Sequence, residues 1–518
     1  MAQDEGTSKA MQQTLSLKEE TFEKVRNTVG LFLGPLTAIA LWLTPMPSLS
    51  AKAHTLTGII GWMWIWFICE PVPLPVSAFA AAVLCAALNV ASAKSVLAPF
   101  ADPLIYLFAG SFILAEAMKN HGVHKRVAYW IMSMKLVGSS TGRILAAYGA
   151  IAAFISIWIS NTAATMMMFP IGLGVIYAMA DIISEKTGSV VDPLRLRYGC
   201  GMMLMVAYAS SAGGIGSPVG TPPNLIGIFM IDKFCGVKIS FFHWMSFCMP
   251  ILVVMFILLY ILMYYLHKPE MAKIEGSHEY VQRELKKLGK WTAGERNAVI
   301  AFLITVTLWI TPGILAIIYG SNNPVSKFYG ARMPEAMAAL AGASLLFILP
   351  TNWKKREFTI TWKEATKIDW GILIFFGAGL TLGNLMLETK LAEVVGMKIL
   401  QLTGTSSVWG ITFVAIFLSI LLSEFSSNVA TANMLVPVMI ALANAAGVDP
   451  VPAAIGATLG ASWGFMMPLS NPSNAIVYGS GMVKMTSMLR AGVVFDILGG
   501  LLLWGGLRIM LPFVGLAQ

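Results

Sequence analysis

The chain has 518 residues, 57% of them hydrophobic and only 12% charged, where a soluble domain carries about 25% charged residues. That excludes a soluble globular protein and fits a polytopic membrane protein. The net charge of +9 comes from Lys and Arg in short loops between apolar runs, which is a topology signal rather than a nucleic-acid footprint.

Residues 1–27 are mixed in charge and too long for a signal peptide, so they read as a cytoplasmic tail ahead of a retained span. A span needs roughly 20 apolar residues. Spans are predicted at 28–46, 55–70, 72–91 and 102–119. The basic stretch 121–137 is amphipathic and reads as interfacial, with His121 and His124 solvated beside Lys125 and Arg126. The apolar run 142–180 is about two spans long and carries Ser160-Asn161-Thr162 near its centre. It is either a re-entrant hairpin with its tip at the midplane or two crossings joined by an outer turn. Polar, irregular backbone at membrane depth survives only if protein buries it or it lines a cavity.

The segment 198–231 is apolar but interrupted by SSAGGIGSPVGTPPN at 210–224, whose glycines and prolines cannot continue a helix. Span 241–266 closes the first membrane part, 28–266. A charged connector, 267–297, follows. Residues 298–518 then run through the same order: 298–317, 335–349, 369–387, an interfacial stretch at 389–403, a second hairpin at 407–445 around Ser427-Asn428, a broken helix at 453–480 and a last span at 492–513.

The two parts share more than order. At an offset of 267 residues Gly110 meets Gly377, Asn161 meets Asn428, Ala163 meets Ala430, Met167 meets Met434 and Pro170 meets Pro437. At an offset of 250 Pro218 meets Pro468, Pro222 meets Pro472 and Asn224 meets Asn474. A duplicated unit explains both sets. With Lys and Arg sorted to the inside, the N-terminus is cytoplasmic and the repeats are inverted. The expected fold class is an all-α integral membrane protein of two inverted-topology repeats, with re-entrant hairpins, broken helices and about 11 spans plus two hairpins.

Broken helices at the midplane point to a transport site. Freed N–H groups at a half-helix start attract anions, and freed carbonyls suit a hard cation. Ser and Thr hydroxyls and the Asn amide serve either purpose. No Lys or Arg lies near either tip, so a bound cation would supply the positive charge that an anion needs. Glu424, one helical turn before Asn428, is a costly carboxylate at that depth. It is either functional or a brace for the second hairpin, and the first repeat has Ile157 in its place. Glu116 and Asp496 read as structural. The five cysteines (Cys69, Cys85, Cys200, Cys235 and Cys248) show no metal-ligand spacing and read as free packing thiols.

The paired triplets, VGTPPN after the first and P-x-x-x-P-x-N-A-I-V after the second, resemble the divalent anion:sodium symporter family, the INDY-like dicarboxylate transporters. The resemblance covers nearly the whole chain from about residue 30 and includes LGKWTAGE in the connector. It implies a non-enzymatic homodimeric transporter in a bacterial inner membrane. It further implies sodium-coupled import of C4-dicarboxylates (succinate, malate, fumarate) by an elevator movement. One sodium site would use Ser156, Ser160, Asn161 and Gly220, and the other Ser423, Ser426, Asn428 and Ser470. Substrate would meet Asn161, Thr162, Thr221, Asn428, Val429, Asn471 and Pro472. The second half departs from the family pattern. Val429 stands where Thr is frequent, and Asn471-Pro472-Ser473 stands where Thr-Pro-Pro is frequent, so a hydroxyl is lost and an amide gained. A sodium-independent exchanger, or a carrier of sulfate, citrate or another anion, stays open as an alternative.

Overall fold

The computed structural model describes residues 17–274, 277–320, 323–404 and 406–517. Residues 1–16 of the expected tail lie outside these. In chain order the helices are α1 (Leu17–Leu43), α2 (Ala51–Cys69), α3 (Leu74–Ala87), α4 (Ala93–Leu97), α5 (Pro103–Asn120), α6 (Val123–Met132), α7 (Thr141–Ser156), α8 (Asn161–Thr187), α9 (Arg197–Gly213), α10 (Pro222–Cys235), α11 (Phe241–Leu266) and α12 (Ser277–Lys287). The second part holds α13 (Ala293–Tyr319), α14 (Pro324–Arg332), α15 (Glu335–Ile348), α16 (Trp362–Ala365), α17 (Trp370–Glu388), α18 (Leu391–Thr403), α19 (Val408–Ser423), α20 (Asn428–Ala445), α21 (Pro450–Ala461), α22 (Pro472–Tyr478) and α23 (Met485–Phe513). A short antiparallel pair, Pro350–Asn352 with Glu357–Phe358, is the sole sheet among the described residues.

Eight of the described helices are long and apolar enough to cross a bilayer alone. Four shorter apolar helices, α3, α7, α19 and α21, cannot span alone. Of these, α7 and α19 are hairpin arms and α21 is half of a broken helix. The eight include the hairpin arms α8 and α20 and leave out α3 and the broken helices, so they are not a count of crossings. Two boundaries also move. Helix α1 begins at Leu17, inside the charged tail, and the connector is partly helical, as α12.

Two structural groups form. In one, α1 packs on α2, α5 on α15 and α3 on α17. In the other, α9 lies against both arms of the first hairpin, α7 and α8, while α21 lies against α19 and α20 of the second. The repeats then interlock: α10 of the first packs on α20 and α21 of the second, and α22 of the second packs on α8 and α9 of the first. Helix α9 is buried from Tyr198 to Gly213, as a central element should be.

The basic stretch is not solvated as its composition implies. His124 is 4% exposed and Arg126 6%. Arg126 Nε donates to Glu295 Oε1 at 2.7 Å, Nη1 to the Gly289 carbonyl at 2.8 Å and Nη2 to the Leu288 carbonyl at 3.0 Å, with the guanidinium over Trp291. His121 Nε2 lies 2.6 Å from the Thr359 carbonyl. The Arg126 bonds pin α6 to the end of the connector, while His121 ties the turn before α6 to Thr359, roles that local sequence cannot reveal because the partners lie more than 160 residues away. All five cysteines are free thiols.

Candidate functional site

Each hairpin tip is a four-residue break between two helices. Ser160 ends the first break as N-cap of α8, its hydroxyl accepting from Ala163 N at 3.3 Å. Ser427 does the same for α20, accepting from Ala430 N at 3.2 Å. The caps satisfy one N–H at each helix start and leave the earlier ones, at positions 161–162 and 428–429, as the positive ends of two helix dipoles. The broken helices cannot match this. Helix α10 opens with Pro222-Pro223, which have no N–H, and α22 opens with Pro472. Anion-directed donors therefore sit on the hairpins, and the breaks present carbonyls.

Those carbonyls converge. A Cβ added at Gly220 would meet the carbonyl oxygens of Gly214, Ser156 and Ile157 at 2.5, 2.9 and 3.0 Å. One added at Gly214 would meet Asn161 Oδ1 at 2.3 Å. The absence of both side chains lets hairpin tip and helix break approach until their oxygens share one space. Ser156 Oγ donates to Asn161 Oδ1 at 2.8 Å and aims the amide. Asn224 Nδ2 holds the Gly214 and Ser217 carbonyls at 2.9 and 2.7 Å, and the Ser217 hydroxyl donates to the Ile157 carbonyl.

The second repeat builds a similar cradle around the equivalent Ser423 and Asn428, with the Ala461 carbonyl added. Ser423 Oγ lies 2.9 Å from the Asn428 amide and donates to the Ala461 carbonyl at 2.8 Å. The Asn428 amide also lies 3.3 Å from the carbonyl oxygens of Ser470 and Ala461. With its nitrogen turned inward it donates to them. With its oxygen turned inward, four oxygens converge, a donor set suited to a hard cation such as sodium. Asn474 Nδ2, the counterpart of Asn224, reaches the Gly464 and Met467 carbonyls at 3.3 and 3.0 Å. Both cradles thus fit a monovalent cation by donor chemistry: neutral oxygens, mostly backbone, fixed by an Asn behind them.

The predicted site residues divide accordingly. Ser156, Asn161 and Gly220 meet at the first cradle, and Ser423, Asn428 and the Ser470 carbonyl at the second. Ser160 is in place, but its hydroxyl serves the cap. The Ser426 hydroxyl turns away, donating to the Phe67 carbonyl of α2 at 3.4 Å. Thr162 and Val429 occupy equivalent half-buried positions one residue into α8 and α20. Thr221 is 3% exposed, and its hydroxyl makes no hydrogen bond to a described residue. Pro472 is exposed beside the second break. The amide expected at Asn471 is already partly engaged. Its Oδ1 accepts from Ser473 N at 3.0 Å and its Nδ2 donates to Ser211 Oγ at 2.8 Å, so both ends are engaged within the protein. The bond to Ser211 ties the second break to the end of α9, beside the first.

Residue-by-residue reading missed Gly214, Ser217 and Ser211. It also left Asn224 and Asn474 without a role, although their shared offset was the available signal. Asp496 was missed as a partner of Glu424. The Glu424 carboxylate, 1% exposed, accepts from Met466 N at 2.9 Å and Met467 N at 3.1 Å, and so fixes the second break to the second tip. The Asp496 side chain, 2% exposed, faces it. The first repeat makes the same joint with the same polarity, break donating to tip, but with side chain and backbone exchanged. There Ser217, equivalent to Met467, donates to the backbone of Ile157, equivalent to Glu424.

Duplicated hairpins, interlocked broken helices and cation cradles beside two positive helix ends define a secondary membrane transporter. The chain belongs to the family described as the sodium:sulfate symporter transmembrane region, whose model matches residues 26–510. This is the divalent anion:sodium symporter family that the motifs resemble. Over 484 residues it is 32% identical to the sodium-dependent dicarboxylate transporter SdcS of Staphylococcus saprophyticus, covering 93% of this chain and 91% of that one. It is 30% identical over 489 residues to the protein of the same name in Staphylococcus aureus strain USA300, covering 94% and 91%. Among solved structures, the Alcanivorax borkumensis YdaH transporter shares the fold with a TM-score of 0.51 at 14% identity, covering 95% of this chain and 98% of that one.

Proposed function

We propose that the protein imports C4-dicarboxylates such as succinate, fumarate and malate, coupled to sodium. The observation that carries this reading is the pair of oxygen cradles, each adjoining a hairpin helix start. Sodium held by Ser156, Asn161 and the carbonyls around Gly220, and by Ser423, Asn428 and the carbonyls of Ala461 and Ser470, would sit beside the dipole ends. A dianion would be attracted there only when the cations are present, because the sequence places no Lys or Arg beside either tip. Two hairpin tips, each meeting one carboxylate, would suit a diacid. Thr162 and Thr221 would add hydroxyl contacts at the first end. The names of the curated relatives support the same substrate class and coupling ion.

The packing supports an elevator. Hairpins and broken helices interlock across the repeats and would travel as one body against the remaining helices, in a homodimer of a bacterial inner membrane with the N-terminus cytoplasmic. The test is uptake of labelled succinate by proteoliposomes. Uptake should require an inward sodium gradient and fail when potassium replaces sodium. Equal uptake in potassium would overturn the coupling and leave a sodium-independent exchanger.

A further inference from the structure

The boundary between the two structural groups is crossed by an aromatic contact at the first hairpin tip. Trp158 lies in the first break, next to Ile157, whose carbonyl lines the first cradle. Its ring stacks on Phe241 of α11 at 6.4 Å between centroids and meets Phe302 of α13 edge-on at 5.3 Å. Phe241 stacks in turn on Trp309 of α13 at 4.6 Å. Helix α11 packs on α9, beside the first hairpin, whereas α13 packs on α15 and α5 of the other group. The receiving side is braced. Trp309 Nε1 donates to the Glu335 carbonyl at 3.0 Å, and the Glu335 carboxylate accepts from Phe241 N. Ser111, Leu114 and Met118 of α5 line the gap beside the indole.

The equivalent residue of the second tip, at the offset of 267, is Phe425, and it is 55% exposed. That tip reaches the other group by the 3.4 Å bond from Ser426 to the Phe67 carbonyl, with its ring left outside. Exposure alone marks nothing, because single apolar residues on a surface are ordinary. The equivalence with a packed Trp158 marks it. A large ring at the same position of two inverted repeats, docked in one and bare in the other, is what results when the two tips dock by turns. We infer that Trp158, backed by Phe241, anchors the first tip against Phe302 and Trp309 in this position and must release for the body to move, and that Phe425 is the anchor of the opposite position. The inference rests on the elevator reading given above. Losing the ring contacts of Trp158 should shift the balance between the two positions on the order of tenfold.

Two measurements on the full chain test it. In the first, Trp158→Cys is bridged to Phe302→Cys by a short bifunctional maleimide, and in a parallel protein Asn433→Cys is oxidised onto Gly379→Cys. The second pair also crosses the boundary, since a Cβ at Gly379 would meet the Asn433 side chain, but it lies away from the anchor. Both bridges should stop succinate uptake in proteoliposomes, and neither reagent should affect the single variants. A Trp158 bridge that never forms, or that leaves uptake intact while the Asn433 bridge stops it, would overturn the anchor. Uptake that survives both bridges would overturn the elevator reading itself. In the second, a maleimide should label Phe425→Cys in purified protein above the background of the native cysteines. Adding Trp158→Ala should slow that labelling at least about twofold, because the second tip then docks more often, and Trp158→Phe should restore most of the rate. Labelling unmoved by Trp158→Ala would overturn the exchange of anchors.

Discussion

Gly220→Ala probes the first cradle most directly. The new methyl would stand 2.5 Å from the Gly214 carbonyl oxygen, 2.9 Å from that of Ser156 and 3.0 Å from that of Ile157. All three are backbone atoms of two different elements, so no side-chain rotation relieves the contact. Gly220 is not in the left-handed region, so Ala costs nothing in backbone conformation itself. The penalty is overpacking, typically about 1–3 kcal/mol, together with replacing a cation's space by an apolar group. Sodium activation of uptake should therefore shift to concentrations at least about tenfold higher, which corresponds to ~1.4 kcal/mol. The second assay needs no substrate: sodium-dependent thermal stabilisation of the purified protein should weaken in parallel. Gly505→Ala, where an added Cβ meets nothing within 4 Å, is the control and should behave as wild type. Ser156→Ala is the milder companion, removing the 2.8 Å donor to Asn161 without adding bulk. Wild-type sodium dependence in both Gly220→Ala and Ser156→Ala would refute the cradle.

Three further outcomes are expected. Glu424→Gln turns an NH2 toward one of the two backbone N–H groups at Met466 and Met467, which should cost about 1–3 kcal/mol and weaken sodium activation. Asp496→Asn leaves the bonds from Met466 and Met467 to Glu424 in place and should do less harm on both counts in the same thermal and uptake assays. Arg126→Gln leaves Glu295 buried without its partner, so the melting temperature should fall by the equivalent of about 3–5 kcal/mol, while sodium affinity in the surviving protein stays near wild type. Burial pushes the His124 imidazole down from 6.5 to about 4. The folded protein holds it neutral, so its contribution is intact above pH 6.5 and is lost as pH falls through the window toward 4. Thermal stability should decline across that window, and less steeply in His124→Phe.

Much of the architecture is legible in one dimension. Apolar run length sets the spans, as at 241–266, because a bilayer demands a fixed length of satisfied backbone. The repeat is legible because duplication preserved Asn161 and Asn428, and Asn224 and Asn474, at constant offsets. Ser-Asn tips and Gly-Pro breaks announce where helices must stop. Other features needed the third dimension. Arg126 reads as a solvated charge until Glu295, 169 residues on, is brought against it. Asn471 reads as wholly free for substrate until Ser211, 260 residues back, takes one of its two amide hydrogens. Glu424 reads as either functional or a brace for the second hairpin until Met466 N and Met467 N are seen to donate to it.

The sequence by itself therefore determined the membrane fold, the two-fold repetition and the four segments that make the site, because local backbone chemistry and run length decide these. Which polar atoms remain free to meet an ion or a substrate was decided only by the tertiary structure. A hydrogen-bonding group's availability depends on what else reaches it, and in this chain the competing partners come from distant helices.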